Sequence, residues 1–201
     1  MIVIVDYGMG NLGSIVNMFK KLGAKAIISG DSEVIATASK LLLPGVGSFD
    51  RAMGRIHELG LKSVLDEQAL VVKKPILGIC LGMQLLTRGS EEGKRPGLGW
   101  VAADTVRFPN MPGLRIPHMG WNAVQLATPS LLTQNLPAES RFYFVHSYYV
   151  RVDKEHNCIL KCQYGVSFDA AVQKDNIFGA QFHPEKSHRF GMQLLRNFAA
   201  L

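Results

Sequence analysis

The sequence predicts an α/β fold: one domain with a mixed, mostly parallel central sheet flanked by helices. Three observations predict it. In the first half, short apolar runs alternate with stretches of helical periodicity. At residues 75–86 one such run passes from strand pattern to helix pattern through a single cysteine, Cys80. The second half changes character and reads as strands joined by tight turns. Alternating strands and helices imply right-handed βαβ units, and such units build a parallel sheet.

Ile2 to Val5 is a wholly apolar run of the kind buried in parallel sheets. An amphipathic helix follows from Asn11 to Leu22, with Leu12, Ile15, Val16, Phe19 and Leu22 on one face, and Gly23 ends it. Ala26 to Ser29 and Leu41 to Leu43 are the next strands. Between them Asp31 or Ser32 caps a short helix. Phe49 to Val72 is helical with an interruption at Gly60, and Ile76 to Ile79, bounded by Pro75, is the fourth strand. Glycine and proline are dense from Gly93 to Gly120, which predicts loops and short strands. Arg141 to Val150, Ile159 to Tyr164, Ser167 to Val172 and Ile177 to Phe182 are strands, with turns at Gly165 and at Asp175-Asn176. Ser187 is expected to cap a final helix ending at Leu201. With no internal repeat, low-complexity segment or linker, residues 1–201 are expected to form one domain.

The chain has 201 residues, 47% of them hydrophobic, enough for one ordinary core. No apolar run approaches the roughly 18 residues of a membrane span, so no membrane association is expected. Met1 to Val5 has no basic flank and ends in Asp6, which is not a signal peptide. A cytoplasmic location is therefore expected. Three cysteines, Cys80, Cys158 and Cys162, argue against a disulfide framework. His156, Cys158 and Cys162 lack a second pair at zinc spacing and lie in a strand-like segment, so no metal is expected. The net charge of +6 is scattered, the longest clusters being pairs such as Lys20-Lys21 and Lys73-Lys74. That is a solvated basic surface rather than a nucleic-acid site.

Gly8-Met-Gly-Asn-Leu-Gly13 matches the dinucleotide fingerprint, with Asp31 placed as a ribose acid. Against this, Asp6 and Tyr7 separate the apolar strand from the first glycine, and Asp31 sits in a Gly-Asp-Ser turn. A glycine-rich βα turn, or a loop meeting a partner, fits better.

The chemistry is concentrated at Gly78-Ile-Cys-Leu-Gly82. A sharp strand-to-helix turn lifts one side chain out of a sheet, and flanking glycines let backbone pack around it. This is the nucleophile elbow with a thiol in place of a hydroxyl, and a helix N-terminus favours the thiolate. Such a nucleophile needs a base and a group that orients the base. His183 falls at a strand end in Phe182-His-Pro-Glu185, and Glu185 can hydrogen-bond one ring nitrogen while the other faces Cys80. The backbone N–H of Leu81, next after the nucleophile, is one oxyanion donor by geometry. A second is expected from another strand-end loop, and Pro44-Gly-Val-Gly47 has the glycines a reorienting backbone needs. Gln84, four residues past Cys80, shares its face of the elbow helix.

Gly78-Ile-Cys-Leu-Gly82 together with His183-Pro-Glu185 resembles the class I (triad) glutamine amidotransferases. A narrower likeness is to the glutaminase subunits of imidazole glycerol phosphate synthase. It rests on Asp6-Tyr-Gly-Met-Gly-Asn11, Pro44-Gly-Val-Gly-Ser-Phe49, Pro117-His-Met-Gly-Trp-Asn122, Phe144-Val-His-Ser-Tyr148 and Gln181-Phe-His-Pro-Glu-Lys-Ser187. The resemblance implies a class I glutamine amidotransferase domain that hydrolyses L-glutamine without a cofactor. It implies Cys80 as nucleophile, His183 as base and Glu185 as its orienter. A peptide around Val46 and Gly47 would complete the oxyanion hole, and Gln84, Gly47, Ser147 and Tyr148 would clamp the amino-acid end of glutamine. It also implies a heterodimer with a (β/α)8-barrel cyclase that receives the ammonia. Asn11, Trp121, Tyr143 and Lys186 are candidates for the partner-facing surface, Trp121 and Tyr143 because aromatics anchor interfaces.

Overall fold

Sequence periodicity becomes architecture in chain order in the computed structural model, which describes residues 1–201. The first half runs β1 (Ile2–Val5), α1 (Leu12–Lys21), β2 (Ala26–Ser29), α2 (Ser32–Thr37), β3 (Lys40–Gly45), α3 (Phe49–Glu58), α4 (Leu61–Asp66), β4 (Ile76–Cys80) and α5 (Leu81–Leu85). The second half runs β5 (Ala103–Arg107), β6 (His118–Leu126), β7 (Arg141–His146), β8 (Tyr148–Val152), β9 (Cys158–Tyr164), β10 (Val166–Lys174), β11 (Ile177–Ala180) and α6 (His188–Ala200).

All eleven strands join one mixed sheet. The order β2-β1-β3-β4-β11 is parallel throughout, and β10, β9, β6 and β7 continue it antiparallel. β8 pairs with both β5 and β10, off the main path. Strand alternation sorts the core into two layers. Val3, Val5, Leu41 and Leu43 point to one face, under Ile35, Phe49, Met53, Ile56 and Leu65 of α2, α3 and α4. Ile2, Ile4, Leu42 and Leu77 point to the other, under Ile15 and Phe19 of α1 and Leu194, Leu195 and Phe198 of α6. Each fully buried aromatic or branched side chain contributes about 1.5–3 kcal/mol to holding these layers together.

The expected interruption at Gly60 and a cap at Asp31 are present, and other sequence expectations are corrected. The helical stretch after Phe49 breaks at Gly60, whose φ is +66°, and then ends in a π-helical turn, Glu67–Val71. The single strand expected over Arg141 to Val150 is two strands, because β7 pairs with β6 whereas β8 pairs with β5 and β10. Ser147 is the break. β11 stops at Ala180, two residues before the expected end, and Gln181 and Phe182 bend away. Asp31, not Ser32, caps α2 by accepting from the N–H groups of Glu33 and Val34. Ser187 precedes α6 but its hydroxyl does not cap it; it donates to the His183 carbonyl at 2.6 Å and accepts from the Tyr143 N–H at 3.0 Å. No helix is long and apolar enough to cross a membrane.

Candidate active site

Cys80 is the last residue of β4 and the residue before α5. Its backbone sits at φ 54°, ψ −110°, a conformation a non-glycine residue holds only when its surroundings enforce it. The enforcement is steric. A Cβ at Gly82 would lie 1.8 Å from the Leu43 carbonyl oxygen, and one at Gly78 would lie 2.6 Å from the Gly82 carbonyl oxygen. Backbone of β3, β4 and α5 therefore meets where no side chain fits. Strand and helix close into a turn tight enough to push Cys80 upward, into a cavity of about 340 Å³. That volume is at the small end of ligand pockets.

His183 comes from the loop after β11, which is hydrogen-bonded alongside β4. Its backbone N–H donates to the Tyr143 carbonyl at 2.9 Å, and Ser187 ties the same turn to β7. His183 Nδ1 lies 2.8 Å from Glu185 Oε1, and both side chains are buried. Nε2 is buried and makes no well-formed hydrogen bond, as is true of Glu185 Oε2. Burial pulls the His183 ring toward its neutral form. The neighbouring Cys80 sulfur, as thiolate, and then Glu185 pull the other way and prevail, raising its pKa to about 9.

Gly45 is in register with Cys80 across β3 and β4, so the loop leaving β3 passes directly beside the thiol. Val46 and Gly47 line the cavity, and Gly47 holds φ +107°, which only glycine adopts without strain. Tyr7, buried under this loop, donates its hydroxyl to the Pro44 carbonyl. Leu81 is the first residue of α5, where N–H groups have no intrahelical acceptor.

Gln84 also lines the cavity. Its Nε2 donates to the Tyr148 carbonyl at 3.1 Å and to Gln181 Oε1 at 3.2 Å. Ser147 and Tyr148, at the break between β7 and β8, form another wall. Of the four residues proposed to face a partner, three lie together. Trp121 packs edge-on against Tyr143, its cross-strand neighbour, at 6.3 Å, and Lys186 Nζ is 5.7 Å from the Tyr143 ring centre. Asn11 precedes α1, which lies against the Pro184–Lys186 turn.

Two residues in the site were not picked out from the sequence. Gln181 is fully buried and bonds Gln84, with its own Nε2 3.9 Å from the Cys80 sulfur. A lone amide inside the apolar run Ile177 to Phe182 was the available signal, since a buried amide needs partners. Glu92 is the only carboxylate on the cavity wall, and it accepts from the Phe49 N–H at 3.0 Å. Nothing local marks it. It is brought there by Asp50, which accepts from the N–H groups of Lys94 and Arg95 and so pins the loop to α3. No cluster of three or more His, Cys, Asp or Glu side chains is arranged to hold a metal ion. The Gly8–Gly13 turn is used internally: the Gly8 N–H donates to Asp6, and nothing lies within 4 Å of a Cβ placed at Gly13. The close helix–strand packing the third glycine of a dinucleotide fingerprint serves is absent.

The family model for glutamine amidotransferase class-I matches residues 3–201. The chain is 54% identical over 198 residues to imidazole glycerol phosphate synthase subunit HisH 2 of Methanococcus maripaludis, covering 98% of each chain. It is 51% identical to subunit HisH 2 of Pseudomonas aeruginosa over the full length of both. Among solved structures, a glutamine amidotransferase superposes with a TM-score of 0.75 at 18% identity, over 100% of this chain and 99% of that one. A glutamine amidotransferase from Thermotoga maritima gives 0.71 at 16%, over 98% and 94%.

Proposed function

The chain belongs to the class I glutamine amidotransferases, and from that premise we propose that it is the glutaminase subunit of an imidazole glycerol phosphate synthase. Relatives named as that subunit, near 50% identical over the full length, support the reading. The family match over residues 3–201 is consistent with one amidotransferase domain spanning the chain.

The observation that carries the chemistry is the buried His183–Glu185 pair at 2.8 Å beside a cysteine held at positive φ. In this reading the Cys80 proton passes to His183, and the resulting thiolate attacks the side-chain amide carbon of glutamine. The carbonyl oxygen becomes an oxyanion, received by the Leu81 N–H and by a peptide of the Val46–Gly47 loop. His183 returns the proton to the amide nitrogen, the C–N bond breaks, and ammonia leaves a γ-glutamyl thioester. Water, deprotonated by the same ring, then cleaves the thioester to glutamate and free thiol. Glu185 keeps Nδ1 occupied so that Nε2 faces the thiol. Gln84, Gly47, Ser147 and Tyr148 hold the amino-acid end, and Glu92 supplies the carboxylate that pairs with the α-ammonium group.

Ammonia released into water is protonated and lost as a nucleophile. We therefore infer a second subunit that consumes it, a (β/α)8-barrel cyclase acting on a ribulosyl carboxamide nucleotide. It would dock against Asn11, Trp121, Tyr143 and Lys186. The setting is the cytoplasm and histidine biosynthesis. The test is glutamate release by the chain alone and with the cyclase and its nucleotide ligand. Weak turnover that rises sharply on mixing is expected; strong turnover without the partner would count against a coupled subunit.

A further inference from the structure

The wall of the cavity that carries Ser147 and Tyr148 also carries His146, and His118 stands behind it; both histidines are buried, and the triad chemistry leaves them unused. His118 Nδ1 lies 3.0 Å from His146 Nε2, and His146 Nδ1 lies 2.7 Å from the Tyr148 carbonyl oxygen. At the far end Asn122 Nδ2 lies 3.3 Å from His118 Nε2. His118 and His146 are 2% and 6% exposed, so water cannot substitute for these partners. The His118 ring stacks against both Phe144, at 4.7 Å, and Tyr164, at 4.0 Å, while Phe108 and Phe168 close the edges.

The direction of every bond in this chain of groups is determined. The Tyr148 carbonyl only accepts, so His146 carries its proton on Nδ1, and a neutral ring then leaves Nε2 as an acceptor. His118 must donate to it from Nδ1, which makes His118 Nε2 an acceptor too. Asn122 fills that acceptor from its amide nitrogen. The amide orientation is fixed independently, because Asn122 Oδ1 accepts from the Ala123 N–H at 2.9 Å and Nδ2 also donates to the Gln163 carbonyl at 3.0 Å. Burial pushes His118 down to about 4 and His146 down to about 3, so both rings are neutral at physiological pH. The Tyr148 carbonyl also accepts from Gln84, so the relay reaches the elbow helix itself.

We propose that His118 and His146 are positioning residues for glutamine: a one-way hydrogen-bond relay, Asn122 to His118 to His146 to the Tyr148 carbonyl, holds the Ser147–Tyr148 wall and ties it to β6. The pleat of β6 gives the relay a second end. His118 and Asn122 share its inner face, and Met119 and Trp121, 62% and 46% exposed, occupy the outer one. The relay therefore begins on the strand whose outer face carries Trp121, a residue of the proposed docking surface.

The inference rests on the glutaminase reading for its kinetic arm and on the fold alone for its spectroscopic arm. Nitrogen-15 NMR of the imidazoles in the free chain, assigned with His118→Asn and His146→Asn, is expected to show both rings in the Nδ1–H tautomer, the minority form of free neutral histidine. An Nε2–H tautomer or a protonated ring at either position at neutral pH overturns the relay. In the complex with the cyclase, His146→Leu is expected to raise the glutamine KM about tenfold with kcat nearly unchanged. His146→Asn keeps a donor at the δ position and is expected to restore most of that loss. If the wild-type complex hydrolyses glutamine but both variants keep the wild-type KM, the relay is wrong. If the wild-type complex does not hydrolyse glutamine, the proposed function falls, and the tautomers still decide the relay. If His146→Leu does not fold, the spectrum decides it.

Discussion

Replacing Gly82 by alanine adds one methyl group, and the structure states where it goes: 1.8 Å from the Leu43 carbonyl oxygen. Ordinary contact begins near 3.4 Å, so α5 and β3 must separate by about 1.6 Å for the alanine to fit. Neither neighbour is a side chain that can swing aside. Overpacking of this kind costs about 1–3 kcal/mol, which in a domain of this size lowers the melting temperature by roughly 3–10 °C. Activity suffers more, because Cys80 rides on the displaced helix. A 1 Å misplacement of reacting groups costs about a hundredfold, so glutaminase kcat/KM in the complex should fall by about that factor or more. Gly13→Ala is the matched control: it is the same chemical change on helix α1, where no atom lies within 4 Å. It should stabilise the free chain by about 0.5–1 kcal/mol through chain entropy and helix propensity. Thermal melts of the two variants and steady-state glutaminase assays decide the matter. A Gly82→Ala protein that melts like wild type and keeps activity within twofold would refute the steric account of the elbow.

Gln181→Leu removes the partner of Gln84 and the amide beside Cys80, and should raise the glutamine KM about tenfold with only a mild loss of stability, read by kinetics and urea denaturation. A thiol reagent on the folded chain at mildly alkaline pH should label one cysteine, Cys80. Burial pushes the Cys158 thiol well above its ordinary range and that of Cys162 up to about 12, and a peptide map showing either modified first would contradict this. His183 is raised to about 9 against an ordinary 6.5, so its contribution to stability is complete below about 6.5 and is lost as pH rises through about 9. Wild type should lose stability across that window relative to His183→Gln, and parallel curves would remove the basis for the ion pair. Asp31→Ala should cost about 1 kcal/mol by uncapping α2, far from the cavity and with kcat/KM unchanged.

The parallel half of the fold was legible because β1, β3 and β4 are buried on both faces and its helices on one, so period alone separates them. The antiparallel half was less so. β6 alternates inner and outer residues but buries only His118 and Val124 fully, and Gly120 sits inside it at φ +120°. The break at Ser147 leaves no mark in an apolar run that simply changes partners. The placement of the elbow, His183 and Glu185 was readable since its signals are local: a strand end, a glycine-flanked turn, two residues from ring to carboxylate. Glu92 and the His118–His146 pair were not, for they depend on loops and strands that meet only when the sheet is assembled. His118 and His146 lay inside motifs used for the family resemblance, yet nothing in the order of residues indicates that their rings touch.

The proposed chemistry depends on Cys80 acting as a covalent nucleophile toward glutamine. The most direct test is acid quench of the complex during turnover, followed by mass spectrometry of the peptide that contains residue 80. The predicted result is a γ-glutamyl adduct on Cys80 in wild type. In Cys80→Ala no adduct forms and glutaminase activity drops by about a thousandfold or more. An adduct on another residue, or a Cys80→Ala complex that still releases glutamate at the wild-type rate, would contradict the mechanism.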